Sequence, residues 1–191
     1  MTTDSKMYYP YANVTIANGS SFLAYTGTPV AVEPGSDAPE STSAWPPCTT
    51  SKGFLNYFDG IGWVVGPDVT TMTLKSLQAL ALTKANAEFQ AMVDTLSSGY
   101  PSNEQQSWTQ QLADAQAVLS GADASPLLMT LAIARSTSVT VLAQKIVDKN
   151  AAWTQAYATA LASLQKTRTA IEAATRIADL PPFTIQDLAL R

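Results

Sequence analysis

The apolar and polar positions of this chain change period near residue 67. Before that point they form short extended runs broken by Gly, Pro and Ser; after it they recur every three or four residues. The clearest strand signal lies in the stretch Trp45 to Gly66, where Phe54–Phe58 and Ile61–Val65 flank Asp59-Gly60. Asp-Gly between two aromatic and β-branched runs predicts a β-hairpin, because Gly tolerates the positive φ such turns need. Upstream, Tyr8–Val14 reads as a strand, Asn18-Gly19 as a turn and Phe22–Tyr25 as the return. Between the hairpins Pro29, Pro34, Pro39, Pro46 and Pro47 fix φ and withdraw backbone donors. That segment is expected to be an extended arm over the module, outside the ladder. Two-stranded sheets are marginal in water, so both hairpins must pack on each other, on the helices or on another protein.

The second part is helical. Leu74, Leu77, Ala81, Ala85, Phe89, Met92 and Leu96 form one stripe, widened by Leu80, Leu82 and Val93, which predicts a helix over Thr71–Leu96 closing near Gly99. Ser102-Asn103-Glu104-Gln105 is a capping-box pattern opening a second helix through Trp108, Leu112, Ala115 and Leu119, ended by Gly121. Ser125-Pro126 caps a short third helix to Ala134, with Leu127, Leu128 and Leu131 inward. No Gly or Pro then interrupts Val139 to Asp179, so the last helix has room for roughly 60 Å at 1.5 Å per residue. Its stripe holds Ile146 and Trp153, then Tyr157, Leu164 and Ile171, at heptad intervals. Such a seam calls for a partner helix, either the first helix of the same chain or another copy. After Pro181-Pro182, the tail carries Phe183, Ile185, Leu188 and Leu190, available to a neighbour or to the core. The predicted class is α+β: a small N-terminal antiparallel β module of hairpins with a Pro-rich arm, residues 1–67, followed by an all-α region of about four helices, residues 68–191, the last one long.

Charge then narrows the function classes. Charged residues make up 14% of the 191, well below the roughly 25% of an average soluble protein. A surface made of Ser, Thr, Gln and Asn loses less on desolvation against a partner, which favours an assembly component. The net charge of −4 and scattered Lys and Arg lack the footprint of a nucleic-acid binder. Cys48 stands alone, so no internal disulfide forms; beside Pro46 and Pro47 it reads as a small apolar filler. The N-terminus has no apolar signal-peptide core, and no window reaches the roughly 18 apolar residues of a membrane span, so neither secretion nor membrane insertion is expected.

Catalytic chemistry finds little to work with. There is no His, which excludes a Ser-His-Asp or Cys-His arrangement and leaves a zinc site only one Cys and carboxylates. Asp94, Asp114, Asp148, Glu172 and Asp179 sit singly on helices as solvated groups. Gly60, Gly62 and Gly66 approach a phosphate-loop spacing, yet no helix opens on them and turn glycines explain them better. No catalytic residue, metal or cofactor is predicted. Trp108 and Trp153 belong to helical stripes and read as core.

The informative residues are aromatic. Trp45, Phe54, Tyr57, Phe58 and Trp63, with Pro46 and Pro47, are the candidate partner-binding set. On a strand Phe54 and Phe58 share one face, and Tyr57 takes the other with Leu55. Both faces are then apolar, and a small module covers only one easily. Either the second face, or an open strand edge, meets another protein, or the proline arm folds over that face and Trp45 fills it.

The order of these features resembles the N-terminal part of bacteriophage tail fibre assembly proteins. The likeness rests on a Tyr-rich first strand, Asn18-Gly19 with a Phe22-Leu23 return, Pro29-Val30, Glu33-Pro34-Gly35, the Trp45-Pro46-Pro47 turn, Gly53-Phe54, Trp63-Val64-Val65 and Asp68. The second part, with Leu96-Ser97-Ser98-Gly99-Tyr100-Pro101, a Gln- and Trp-bearing helix and Ser125-Pro126-Leu127-Leu128, is similar to the phage-tail helical segment often joined to that module. Together the two span about Tyr8 to Ile177. The resemblance implies a small chaperone, made in the host cytoplasm and in some phages retained on the virion tail. It would bind the C-terminal region of the trimeric receptor-binding fibre and assist its folding. Trp45, Pro46, Pro47, Phe58 and Trp63 match the motif, and the family has no catalytic residue to carry over. The alternative is a permanent structural component of the tail or baseplate, self-associating through the long helix; stoichiometric presence in purified particles distinguishes it.

Overall fold

The computed structural model describes residues 6–34, 36–44 and 46–188 and is α+β, with a β sheet before the helices. Six strands are present among the described residues: β1 (Lys6–Thr15), β2 (Ser21–Tyr25), β3 (Val30–Val32), β4 (Thr42–Ser43), β5 (Phe54–Phe58) and β6 (Trp63–Pro67). All the pairings are antiparallel, in the order β3-β1-β2-β5-β6, with β4 also on β1. The two hairpins therefore join edge to edge, through Leu23 opposite Phe58 and Ala24 opposite Tyr57.

The turns follow local chemistry. At Asn18-Gly19 the glycine has φ +83°, and the Asn18 side-chain oxygen accepts the Ser20 amide. The second hairpin differs from the sequence expectation. Its turn runs from Asp59 to Gly62, so that Phe58 faces Trp63, and Ile61 is a turn residue 83% exposed. The Asp59 carboxylate accepts the amides of Ile61 (2.9 Å) and Gly62 (2.8 Å), closing the wider turn. Those backbone donors, Gly62 first and then Ile61, hold its pKa below the usual carboxylate value.

The proline arm is also partly corrected. Val30–Val32 and Thr42–Ser43 carry no proline, retain their amides, and pair with Lys6–Tyr8 and Tyr9–Pro10 of β1. Beyond them, the Asn56 amide donates to the Cys48 carbonyl (2.8 Å) and accepts from the Cys48 amide (3.0 Å), fixing the arm. Cys48 itself is exposed, contrary to its expected role as a filler. Its backbone is what the fold uses.

The helices are α1 (Leu74–Ser97), α2 (Ser102–Gln106), α3 (Trp108–Leu119), α4 (Pro126–Ala134), α5 (Val139–Ala173) and α6 (Ile185–Leu188), with a 3-10 turn at Ile177–Asp179. The first starts later than Thr71 because Asp68 engages the Thr70 amide and hydroxyl, leaving Thr73 to accept the Ser76 amide. Leu77, Ala81 and Ala85 are buried as the stripe requires, whereas Met92 is exposed. The capping box at Ser102 does not form. Pro101 occupies the cap position, and the Gln105 side chain donates to the Tyr100 carbonyl instead. At Ser125 the cap does form, accepting the Leu128 amide while its hydroxyl donates to Asp114. The long helix stops at Ala173, short of Asp179. Gln78 donates to the carbonyls of Ile171 (3.0 Å) and Ala174 (3.1 Å), satisfying groups that a helix end leaves bare.

Two compact units result, one reaching Ala85 and resuming at Arg168, the other Asn86–Thr167. The expected junction at residues 67 and 68 marks a change of element, not of unit, because the end of the chain returns to the sheet. In the first unit Phe22, Ala24, Tyr57, Val69, Leu77, Ile171, Leu180, Phe183 and Leu188 are buried. Phe183 and Leu188 of the tail thus dock on the core of their own chain; Leu190 lies outside the described residues. In the second unit Ala115, Leu128, Ala132, Leu142 and Ala143 form the core, with Leu131, Val139, Ile146 and Val147 against it. There Phe89 of α1 meets Tyr157 of α5 edge to face at 5.8 Å, and Tyr157 stacks on Trp153 at 5.1 Å. Tyr157 of the heptad seam thus meets the first helix, whereas Ile146 packs on the core formed with α3 and α4.

Candidate functional site

Strand register sorts the sheet's side chains into two faces. Phe22, Ala24, Tyr57 and Gly66 share one, which is buried. Gly66 carries no side chain for a steric reason: a Cβ there would lie 2.7 Å from the Leu188 carbonyl oxygen. Tyr57 is wholly buried, touches Phe22 edge to face at 5.6 Å, donates its hydroxyl to the Pro67 carbonyl (2.6 Å) and accepts the Val69 amide. Burial raises its phenol pKa, the Val69 amide opposes this, and the Asp68 charge adds to it. Tyr57, counted above among the partner-binding residues, is thereby corrected to a core residue that presents no surface to another protein.

The opposite face carries the site. Tyr11 faces Tyr25 across β1 and β2, and Phe58 faces Trp63 across β5 and β6. Tyr11 stacks on Phe58 with centroids 5.1 Å apart and planes at 15°. Strand β2 lies between their strands, whose backbones are then about 10 Å apart, so the two side chains lean over it to meet. Trp63 closes the group, 5.4 Å from Phe58, 5.7 Å from Tyr25 and 6.4 Å from Tyr11. Each such pair is worth roughly 0.5–1.5 kcal/mol beyond its area. All four rings are half-buried, which leaves part of each at the surface.

Of the other candidates, Phe54 shares this face but stands at the far end of β5, half-buried, with Asn56 between it and Phe58. Asn56 is buried on this face, where it holds Cys48, so the arm does reach the face at that point. Pro46 is exposed and Pro47 half-buried. Trp45 and Gly35 lie outside the described residues. Trp108 packs edge to face on Tyr100 at 5.3 Å and, like Trp153, is half-buried. Tyr11 and Tyr25 are the members that sequence reading missed. Counting outward from Asn18-Gly19 pairs them, but only the joining of β2 to β5 brings Phe58 and Trp63 alongside.

The sheet's terminal strands contribute less. β3 has three residues between Pro29 and Pro34, a short edge of the kind that resists further pairing. At β6 the chain's own Leu188 lies over Gly66 on the buried face, and among the described residues no strand pairs with the outer edge. Among the described residues no three His, Cys, Asp or Glu side chains group as metal ligands, and no single helix is long and apolar enough to cross a membrane. The chemistry on offer is that of an aromatic surface bordered by Asn13, Thr15 and Ser21, which hydrogen-bond one another. Compared with protein-family models, curated proteins and solved structures, the chain matches none of them.

Proposed function

We propose that this chain is a tail fibre assembly chaperone, working in the host cytoplasm on the C-terminal region of the receptor-binding fibre. The observation that carries this reading is the half-exposed group Tyr11, Tyr25, Phe58 and Trp63, on the sheet face opposite the one buried by the chain's own core. Aromatic side chains dominate binding hot spots because they bury much area for few rotatable bonds. A face of this kind shields the matching apolar surface of an unassembled fibre subunit and suppresses wrong strand pairing until the trimer forms. The action is holding, and it needs no nucleotide. The resemblance of the Trp45-Pro46-Pro47 sequence and the Trp63 hairpin to the tail fibre assembly family supports the same reading.

Co-expression with the adjacent fibre gene tests it. Soluble fibre trimer should rise with the chain present, and fall back with Phe58→Ala plus Trp63→Ala while circular dichroism keeps the helical signal. The milder Tyr25→Ser should give a partial loss. Equal trimer yields with and without the chain would overturn the proposal.

A further inference from the structure

Six asparagines occur in the chain, and only Asn18 is followed by glycine. A backbone nitrogen whose residue has no side chain can close on the preceding asparagine's side-chain carbon, an approach that Val14 hinders after Asn13 and Tyr57 after Asn56. Asn18 is therefore the position most open to spontaneous deamidation. The structure opposes that reaction at both groups. The Asn18 Nδ2 donates to the Pro181 carbonyl at 2.8 Å, and its Oδ1 accepts the Ser20 amide at 3.1 Å. The Gly19 amide, which must lose its proton to attack, donates to the Ile16 carbonyl at 3.0 Å. Gly19 itself is exposed, with open space around it, so water reaches the turn freely. Protection comes from the hydrogen bonds and not from burial. Two of the three are local to the turn; the third, to Pro181, spans 163 positions and exists only while the tail is docked.

We propose that Asn18 is a deamidation site gated by the C-terminal tail, converting when the tail lifts and thereby hindering its return. With Pro181 gone, the Asn18 side chain is free to turn toward Gly19. The Gly19 nitrogen gives its proton to hydroxide and attacks the Asn18 Cγ. A bond from that nitrogen to Cγ forms, the bond from Cγ to Nδ2 breaks, and ammonia leaves with a proton taken from water. Water then opens the five-membered succinimide at either carbonyl, leaving aspartate or its isoaspartyl isomer. No electrons are transferred, and water is the only co-reactant. Neither product has a donor for the Pro181 carbonyl, so acceptor would face acceptor where the amide now bonds. The isoaspartyl form also adds a methylene to the main chain of a turn that the Ile16 amide and Ser20 carbonyl close at 3.0 Å. Because the tail carries Phe183 and Leu188 into the core, a converted chain is one whose inner sheet face is left poorly covered.

Mass-spectrometric peptide mapping of the full chain in mildly alkaline buffer, with isoaspartyl methyltransferase labelling, tests this. Folded wild type should convert at Asn18 at least about tenfold more slowly than the same chain unfolded in urea. Lys84→Met and Gly66→Ala loosen the tail without touching the turn. Each should speed conversion at Asn18 by about fivefold or more, while Asn86 and Asn150 of the second unit stay as they were. Asn18→Asp, which reproduces one product, should exchange the Phe183 amide at least about tenfold faster than wild type, with circular dichroism verifying the helices. The proposal is overturned by an Asn18 that fails to convert in urea or converts as fast in the folded chain. Tail variants that convert at the wild-type rate overturn it too, as does an Asn18→Asp chain that protects Phe183 as well as wild type.

Discussion

The Phe183 amide donates to the Ser20 hydroxyl at 2.7 Å, across 163 positions of sequence. Both residues are buried. Beside them the Asn18 side chain donates to the Pro181 carbonyl at 2.8 Å, so the first turn of the sheet grips the tail from two sides. Ser20→Ala should leave the Phe183 amide buried without an acceptor and cost about 1–3 kcal/mol. Hydrogen exchange is expected to speed up first at Phe183 and the residues of α6, with the second unit unchanged.

The tail has a second anchor whose strength depends on pH. Lys84 lies 2.8 Å from Asp187 and also donates to the Pro182 carbonyl. Burial pushes the Asp187 carboxyl up, but hydrogen bonds from Lys84 and from the Thr184 amide and hydroxyl together outweigh it, so its pKa is lowered. The sign follows directly: a depressed carboxylate stabilises fully above its unfolded value near about pH 4, and the contribution is lost as the pH falls through the depressed one. Carbon-13 titration of the Asp187 carboxyl should show the low pKa, and Lys84→Met should raise it.

Gly66→Ala tests the close approach of strand and tail. The added methyl would meet backbone, the Leu188 carbonyl oxygen at 2.7 Å, so α6 must move. We expect a loss of roughly 1–3 kcal/mol, the usual cost of overpacking. Urea denaturation should show a lower midpoint, whereas Gly62→Ala, with open space around it, should be milder.

Tyr57→Phe removes a hydroxyl that both donates to Pro67 and accepts from Val69, at nearly constant volume. The loss should be about 1–3 kcal/mol at neutral pH. Because the folded phenol pKa is raised, its stabilising effect is full below the ordinary value near about 10 and is lost as the pH rises through the folded one. The Phe variant should lack that alkaline component in a pH series of urea midpoints.

What the sequence by itself determined was local. The change of period near residue 67, the turn at Asn18-Gly19, the presence of a hairpin turn beginning at Asp59, the Ser125 cap and the opposed faces of Phe58 and Tyr57 all depend on neighbours a few positions apart, through backbone sterics and side-chain periodicity. Only the tertiary structure decided which of those faces is covered. Pairing of β2 with β5 brings Tyr11 and Tyr25 to Phe58 and Trp63, and the returning tail buries Tyr57's side of the sheet. Gln78 likewise closes α5 at Ala173 from a distance of 93 residues. Contacts between segments so far apart leave no periodic trace in either segment, because each strand or helix presents the same pattern whichever partner it meets.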